Sequence, residues 1–91
     1  MQLTTHQDLQ YQIAHKIKAI RKQKKLTQKM MASKSDVPLS TYARIEQLGE
    51  GSLKDFTKIL IALDRADELG KILKVSDISP MEAYERLKAK S

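Results

Sequence analysis

Residues 26–47, LTQKMMASKSDVPLSTYARIEQ, hold two helix-patterned runs separated by only a few residues. Neither run can persist alone, because isolated helices shorter than about 12–15 residues are marginal in water. A chain that keeps both must clamp them between longer helices, and this restricts it to a small all-helical scaffold. Thr27 is a natural N-cap for the first run, Met30, Met31 and Ala32 supply its apolar side, and its end is expected at Ser33 or Lys34. SKSDVP then breaks the pattern, since Ser and Asp favour turns and the residue before a proline is pushed out of the α region. Pro38 suits the first turn of the next helix, where a missing N–H costs nothing. That helix is expected over 38–47, burying Val37, Tyr42 and either Ile45 or Leu48, and GEG at 49–51 ends it.

The flanking sequence supplies the clamps. Leu9, Ile13, Ile17 and Ile20 recur at spacings of four, four and three, one stripe of a helix expected over 6–24, with Thr5 as N-cap and Asp8 in its first turn. Ser52 followed by Asp55 resembles a capping box, and Leu53, Phe56, Ile59, Leu60 and Leu63 form a wide apolar stripe for a fourth helix. Leu69, Ile72 and Leu73 continue a helical pattern as a fifth, weakened by Gly70, which costs about 1 kcal/mol of propensity. A further helix start follows, with Ser79 as N-cap, Pro80 in the first helical position and Glu82 as capping partner; Met81, Tyr84 and Leu87 line one side. The expected fold is all-α, five helices plus a C-terminal one, in one domain over 1–91.

Charge adds a partner class. The chain carries a net +6, and residues 1–34 alone hold eight Lys or Arg against the single carboxylate Asp8, whereas the rest holds nine against ten. Such asymmetry suits a polyanion, nucleic acid or an anionic membrane surface, and its bland alternative is a solvated helix face. With no cysteine, disulfides, thiolate ligands and cysteine nucleophiles drop out. No apolar run reaches the roughly 18 residues of a membrane span, and the first residues lack the pattern of a signal peptide. A cytoplasmic location is expected, and no membrane partner.

Catalysis finds no basis in the sequence. His6 and His15 stand apart on the first helix with no carboxylate at metal spacing, and Asp64, Asp67 and Glu68 are explained by helix capping and the helix dipole. The glycines at 49 and 51 follow a helix rather than a strand, so no phosphate loop forms. No enzyme, metal or cofactor is expected. Aromatic residues at 4% are too few for single-strand binding by stacking.

A short helix, a tight turn and a second helix, held by outer helices, is an arrangement that presents the second helix to a DNA major groove. IAHKIKAIRKQKKLTQKMMASKSDVPLSTYARIEQ resembles the λ-repressor-like, Xre-type helix-turn-helix family: Ile17, Ile20, Arg21, Leu26-Thr27-Gln28, Ala32, Val37, Ser40-Thr41 and Arg44-Ile45-Glu46 fall at its spacing. SLKDFTKILIAL is similar to the family's fourth helix, and ALDRADELGKIL with DISPMEAY resembles the HipB-like subgroup, which accompanies HipA-like kinases in toxin-antitoxin modules.

The resemblance implies a five-helix DNA-binding domain with an additional C-terminal helix, and roles for particular residues. Thr27 and Gln28 would meet a DNA phosphate, while Pro38, Leu39, Ser40, Thr41 and Arg44 occupy the head and outward side of the recognition helix, with Arg44 suited to guanine O6 and N7 or, as the bland alternative, to a surface ion pair with Glu46 or Glu50. Lys25, Lys29 and Lys34 lie near enough to reach phosphates. Arg21 and Glu46 match a structural ion pair of the family. Leu69, Ile72, Leu73, Met81, Tyr84 and Leu87, in the segment 64–91, are expected at a dimer or partner contact. The implied function is a homodimeric repressor of a palindromic operator on double-stranded DNA, nucleoid-associated, and the autoregulatory antitoxin of a HipA-like kinase. The alternative is an interaction module that tethers or inhibits a partner without specific DNA binding. The departures are Asp36 in the turn where the family commonly has Gly, Met30 where Glu often completes a capping box, Ser35 at an often apolar position, and Pro38 and Leu39 at the head of the recognition helix, where Ser or Gln is more usual; the last two motivate the alternative.

Overall fold

The computed structural model describes residues 5–73 and 80–90. Six helices follow one another: α1 (His6–Gln23), α2 (Gln28–Ser35), α3 (Leu39–Leu48), α4 (Leu53–Ala62), α5 (Ala66–Lys71) and α6 (Pro80–Lys90). The all-α expectation holds, with no strand among the described residues. Among them, no helix is long and apolar enough to cross a membrane, and no group of His, Asp or Glu could hold a metal ion.

Three of the helices start under side-chain caps legible in the sequence. The Asp8 N–H donates to Thr5 Oγ1 at 3.1 Å, the Met30 N–H to Thr27 Oγ1 at 3.1 Å and the Asp55 N–H to Ser52 Oγ at 3.0 Å. Each satisfies one donor that the helix itself cannot pair. Ser52→Ala should therefore lower unfolding free energy by about 1 kcal/mol in a urea titration, the usual cost of a lost N-cap. An unchanged midpoint would show that this cap does not stabilise α4. Pro38 lies just outside α3 as its N-cap residue, with no side-chain cap, so α3 begins one residue later than expected. Ser79, the expected cap of α6, lies outside the described residues.

α3 packs against α1 and α2, and α4 packs against α2 and α5. The core they enclose consists of Ile17, Met31, Ala32, Val37, Tyr42, Ile45, Ile59, Ala62 and Leu63, ringed by half-buried Ile20, Leu26, Phe56 and Leu60. The apolar stripes are buried only in part. In α1, Ile17 and Ala14 are buried, but Leu9 and Ile13 are exposed. α1 has 18 residues against 8 to 10 for α2, α3 and α4, and at 1.5 Å per residue its first turn, with Leu9, outreaches them, whereas Ile13 stands at an open groove with Ile45 and Phe56. Met30 is exposed rather than part of the apolar side, because so short a helix turns one face inward and Met31, Ala32 and Ser35 fill it. Ile45 rather than Leu48 faces the core. Leu53 is also exposed, in the first turn of α4 beside an open groove that Ile13, Ile45 and Phe56 share. α5 stops at Lys71 and leaves Ile72 and Leu73 beyond it, consistent with the low helix propensity of Gly70 and the absence of a side-chain cap.

Candidate nucleic-acid interface

The approach to α2 is fixed by one arginine. Lys25 turns the chain through the left-handed region at φ 58°, and the Leu26 N–H donates to the Arg21 carbonyl at 3.2 Å. In return Arg21 Nη1 donates to the Leu26 carbonyl at 2.6 Å. Thr27 follows in place to cap α2, its Oγ1 accepting the Met30 N–H.

The turn from α2 to α3 is equally constrained. Asp36 adopts φ 58° and ψ 44°, the left-handed conformation that Asp tolerates better than most residues. The Val37 N–H reaches back to the Ala32 carbonyl at 3.0 Å, pulling Val37 into the core as the helix closes. Buried Ser35 satisfies its hydroxyl by donating to the Met31 carbonyl at 2.8 Å, with the Ala32 carbonyl at 3.2 Å, so a polar side chain sits without penalty where an apolar one is common. Lys58 of α4 donates to the Asp36 carbonyl at 3.3 Å and holds the turn from outside.

Glu46 sets the orientation of α3. Its carboxylate accepts four hydrogen bonds: Arg21 Nε at 2.8 Å and Tyr42 Oη at 2.7 Å on Oε2, Arg21 Nη2 at 2.7 Å and Gln28 Nε2 at 3.1 Å on Oε1. One side chain thus ties α1, α2 and α3 together. Burial by itself pushes the Glu46 carboxyl up, but the hydrogen bonds from Arg21, Tyr42 and Gln28 outweigh it and hold the group below its ordinary value. Burial, reinforced by the bond to the Glu46 carboxylate, pushes the Tyr42 phenol above its usual range, and the Arg21 guanidinium is raised chiefly by its hydrogen bond to Glu46. Among the described residues, no buried side-chain polar atom lacks a partner.

With Tyr42, Ile45 and Glu46 turned inward, the other side of α3 faces solvent. Ser40 and Arg44 are exposed there, Pro38 and Leu39 are exposed at its head, and Thr41 is half-buried. Lys25, Lys29 and Lys34 are exposed on the preceding turn and on α2. The structure places two of the implied contacts differently from an outstretched pose. Gln28 spends one amide N–H on Glu46 and keeps the other at the rim, and Arg44 pairs with Glu50, its Nη2 2.8 Å and its Nε 3.2 Å from Glu50 Oε1.

Residues missed in the sequence line the same surface. Lys18 and Gln47 join Gln28, Ala43 and Glu46 around an open depression between α1, α2 and α3. Gln47 follows Ser40 by seven residues and Arg44 by three, a spacing that puts all three on one helical side. The residues expected at a dimer or partner contact lie elsewhere. Leu69 is half-buried and, with Ile72, lines an apolar groove with Ile13, Phe56 and Leu60; Leu73, Met81, Tyr84 and Leu87 are exposed.

Two short helices at a fixed angle, the second with one face locked and the other free, form a helix-turn-helix unit able to enter a major groove. Neither a curated protein nor a solved structure matches the chain. The family described as helix-turn-helix matches residues 17–66, more than half of the chain and all of α2, α3 and α4. The chain therefore belongs to the λ-repressor-like, Xre-type helix-turn-helix family of DNA-binding transcription regulators.

Proposed function

We propose that the chain is a sequence-specific repressor that binds a palindromic operator on double-stranded DNA as a homodimer, in the cytoplasm and at the nucleoid, and serves as the autoregulatory antitoxin of a HipA-like kinase. One observation carries the DNA part: α3 is locked through Tyr42, Ile45 and Glu46 while Leu39, Ser40 and Arg44 are exposed, as are Lys25, Lys29 and Lys34. In this reading Lys25, Lys29, Lys34 and the Thr27–Gln28 end of α2 meet phosphates, which position the domain. Ser40, Thr41, Arg44 and Leu39 meet base edges, which specify the site. One such module covers few base pairs, so a two-fold dimer on repeated half-sites supplies the remaining contacts. The exposed apolar residues Leu73, Met81, Tyr84 and Leu87 favour a protein contact in the C-terminal segment.

Selection from a randomised duplex library followed by anisotropy titration tests the DNA reading. Enrichment of an inverted repeat is expected, and replacing Lys25, Lys29 and Lys34 with alanine should shallow the log-affinity against log-salt slope by about 0.9 for each phosphate left unneutralised. Failure to enrich any sequence at low salt sinks the proposal. The kinase partnership is tested by co-expression with a HipA-like kinase from the same operon; a complex stable to size-exclusion chromatography is expected, and separate elution rejects it.

The second reading, an interaction module that has given up DNA, draws on Leu39, an exposed apolar residue at the head of α3. Arg44→Ala separates the two, because only a DNA reader loses affinity for a selected duplex.

A further inference from the structure

Arg44 is exposed, yet its position is defined. Both its Nε and its Nη2 donate to one oxygen of Glu50, at 3.2 and 2.8 Å. A guanidinium offers five donors, so this bond occupies the Nε side and leaves Nη1 and the outer hydrogen of Nη2 pointing away from Glu50. Those two donors form the end-on fork that matches the paired acceptors O6 and N7 of guanine.

Glu50 itself stands on fixed backbone. Gly49 before it adopts φ 71°, its N–H donates to the Ile45 carbonyl at 2.8 Å, and its carbonyl accepts from Gln10 Nε2 of α1 at 3.1 Å. A Cβ at Gly49 would run into the Gln10 carbonyl, so the chain passes here in close contact with α1. The backbone that carries Glu50 is therefore held against the same helix that α3 packs against.

We propose that Glu50 is a positioning residue for DNA recognition: it holds the Arg44 guanidinium by its Nε side and presents the Nη1 and Nη2 edge to a guanine. The inference rests on the reading that Arg44 faces DNA. Holding a long flexible side chain in its bound geometry lowers the ordering cost on binding the correct base. The Glu50 carboxylate also repels phosphate and competes for Arg44 when the domain sits on unrelated DNA, so it weakens the non-specific mode. An exposed pair of this kind adds little to folding stability, so variants at Glu50 remain folded and their binding can be read directly.

The test uses the full chain, a duplex selected by the wild type from a randomised library, and a scrambled duplex of equal length. Glu50→Ala should lower the ratio of specific to non-specific affinity about tenfold, raising the non-specific affinity while the specific one falls. Glu50→Gln, which keeps an acceptor, should recover part of the ratio. On an Arg44→Ala background, where only the phosphate repulsion remains, Glu50→Ala should change the ratio far less than it does in the wild type. Replacing the contacted guanine by 7-deazaguanine, which removes N7, should cost the wild type about tenfold and Glu50→Ala far less. An unaltered ratio in Glu50→Ala, a Glu50→Gln chain no better than Glu50→Ala, or an equal 7-deazaguanine penalty in both chains overturns the inference while leaving the DNA reading in place. If the wild type selects no duplex, the DNA reading fails and the inference with it.

Discussion

Glu46→Ala should remove about 3–5 kcal/mol of unfolding free energy, measured by urea titration followed by far-UV circular dichroism. The change deletes the acceptor of four hydrogen bonds and leaves the Arg21 guanidinium, 9% exposed at its side chain, without its counter-charge. It strands a buried charge rather than merely losing an attraction, and for a domain with roughly 5–15 kcal/mol in total this is about a fifth or more. A loss below about 1 kcal/mol would mean that water reaches Arg21 freely, contrary to its burial. pH provides an independent check. The folded value of Glu46 lies below its ordinary 4.5, so its contribution is complete above that pH and drains away as pH falls through the lower folded value. Tyr42 has the opposite sign: its folded value lies above the ordinary 10.0, so its contribution is complete below pH 10 and is lost as pH rises through the folded value. Glu46→Gln should therefore be most destabilising between these limits, and the gap to the wild type should close in acid.

Arg44→Ala should weaken binding to a selected duplex by roughly 5- to 150-fold, the 1–3 kcal/mol of a good bidentate base contact, and relax discrimination at one base pair. Folding should change by no more than about 0.5 kcal/mol, because the Arg44 side chain is 66% exposed and its partner Glu50 is 49% exposed. Titration against the selected duplex and its single-base variants measures both effects. Equal weakening on every sequence, with the salt slope reduced by about one, would instead assign Arg44 to a phosphate.

Much of this architecture is legible in the residues, and the differences have physical causes. Caps at Thr5, Thr27 and Ser52 depend on local chemistry within three residues, so the sequence announces them. The stripe Leu9, Ile13, Ile17, Ile20 shows which side of α1 is apolar but not how far its neighbours reach, and two of the four end up exposed. Spacing likewise says that Gln28 and Arg44 are polar residues near the motif. It offers Glu50 as one alternative partner for Arg44, the pairing the structure adopts, but cannot say that Gln28 is drawn to Glu46 eighteen residues away. The Gln28 pairing arises only when helices meet. The family resemblance supplied the Arg21 and Glu46 pair, whereas Tyr42 and Gln28 enter that network through packing.

The division of α3 into a bonded side and a free side has a consequence for descent as well as for binding. Tyr42, Ile45 and Glu46 answer to folding, whereas Leu39, Ser40 and Arg44 make few demands on it. On the proposed DNA reading, substitutions at the latter positions retune which base pairs are preferred without endangering the scaffold. Duplicated copies of such a gene can therefore diverge toward separate operators by a handful of surface changes, each one tolerated by the fold as it arises.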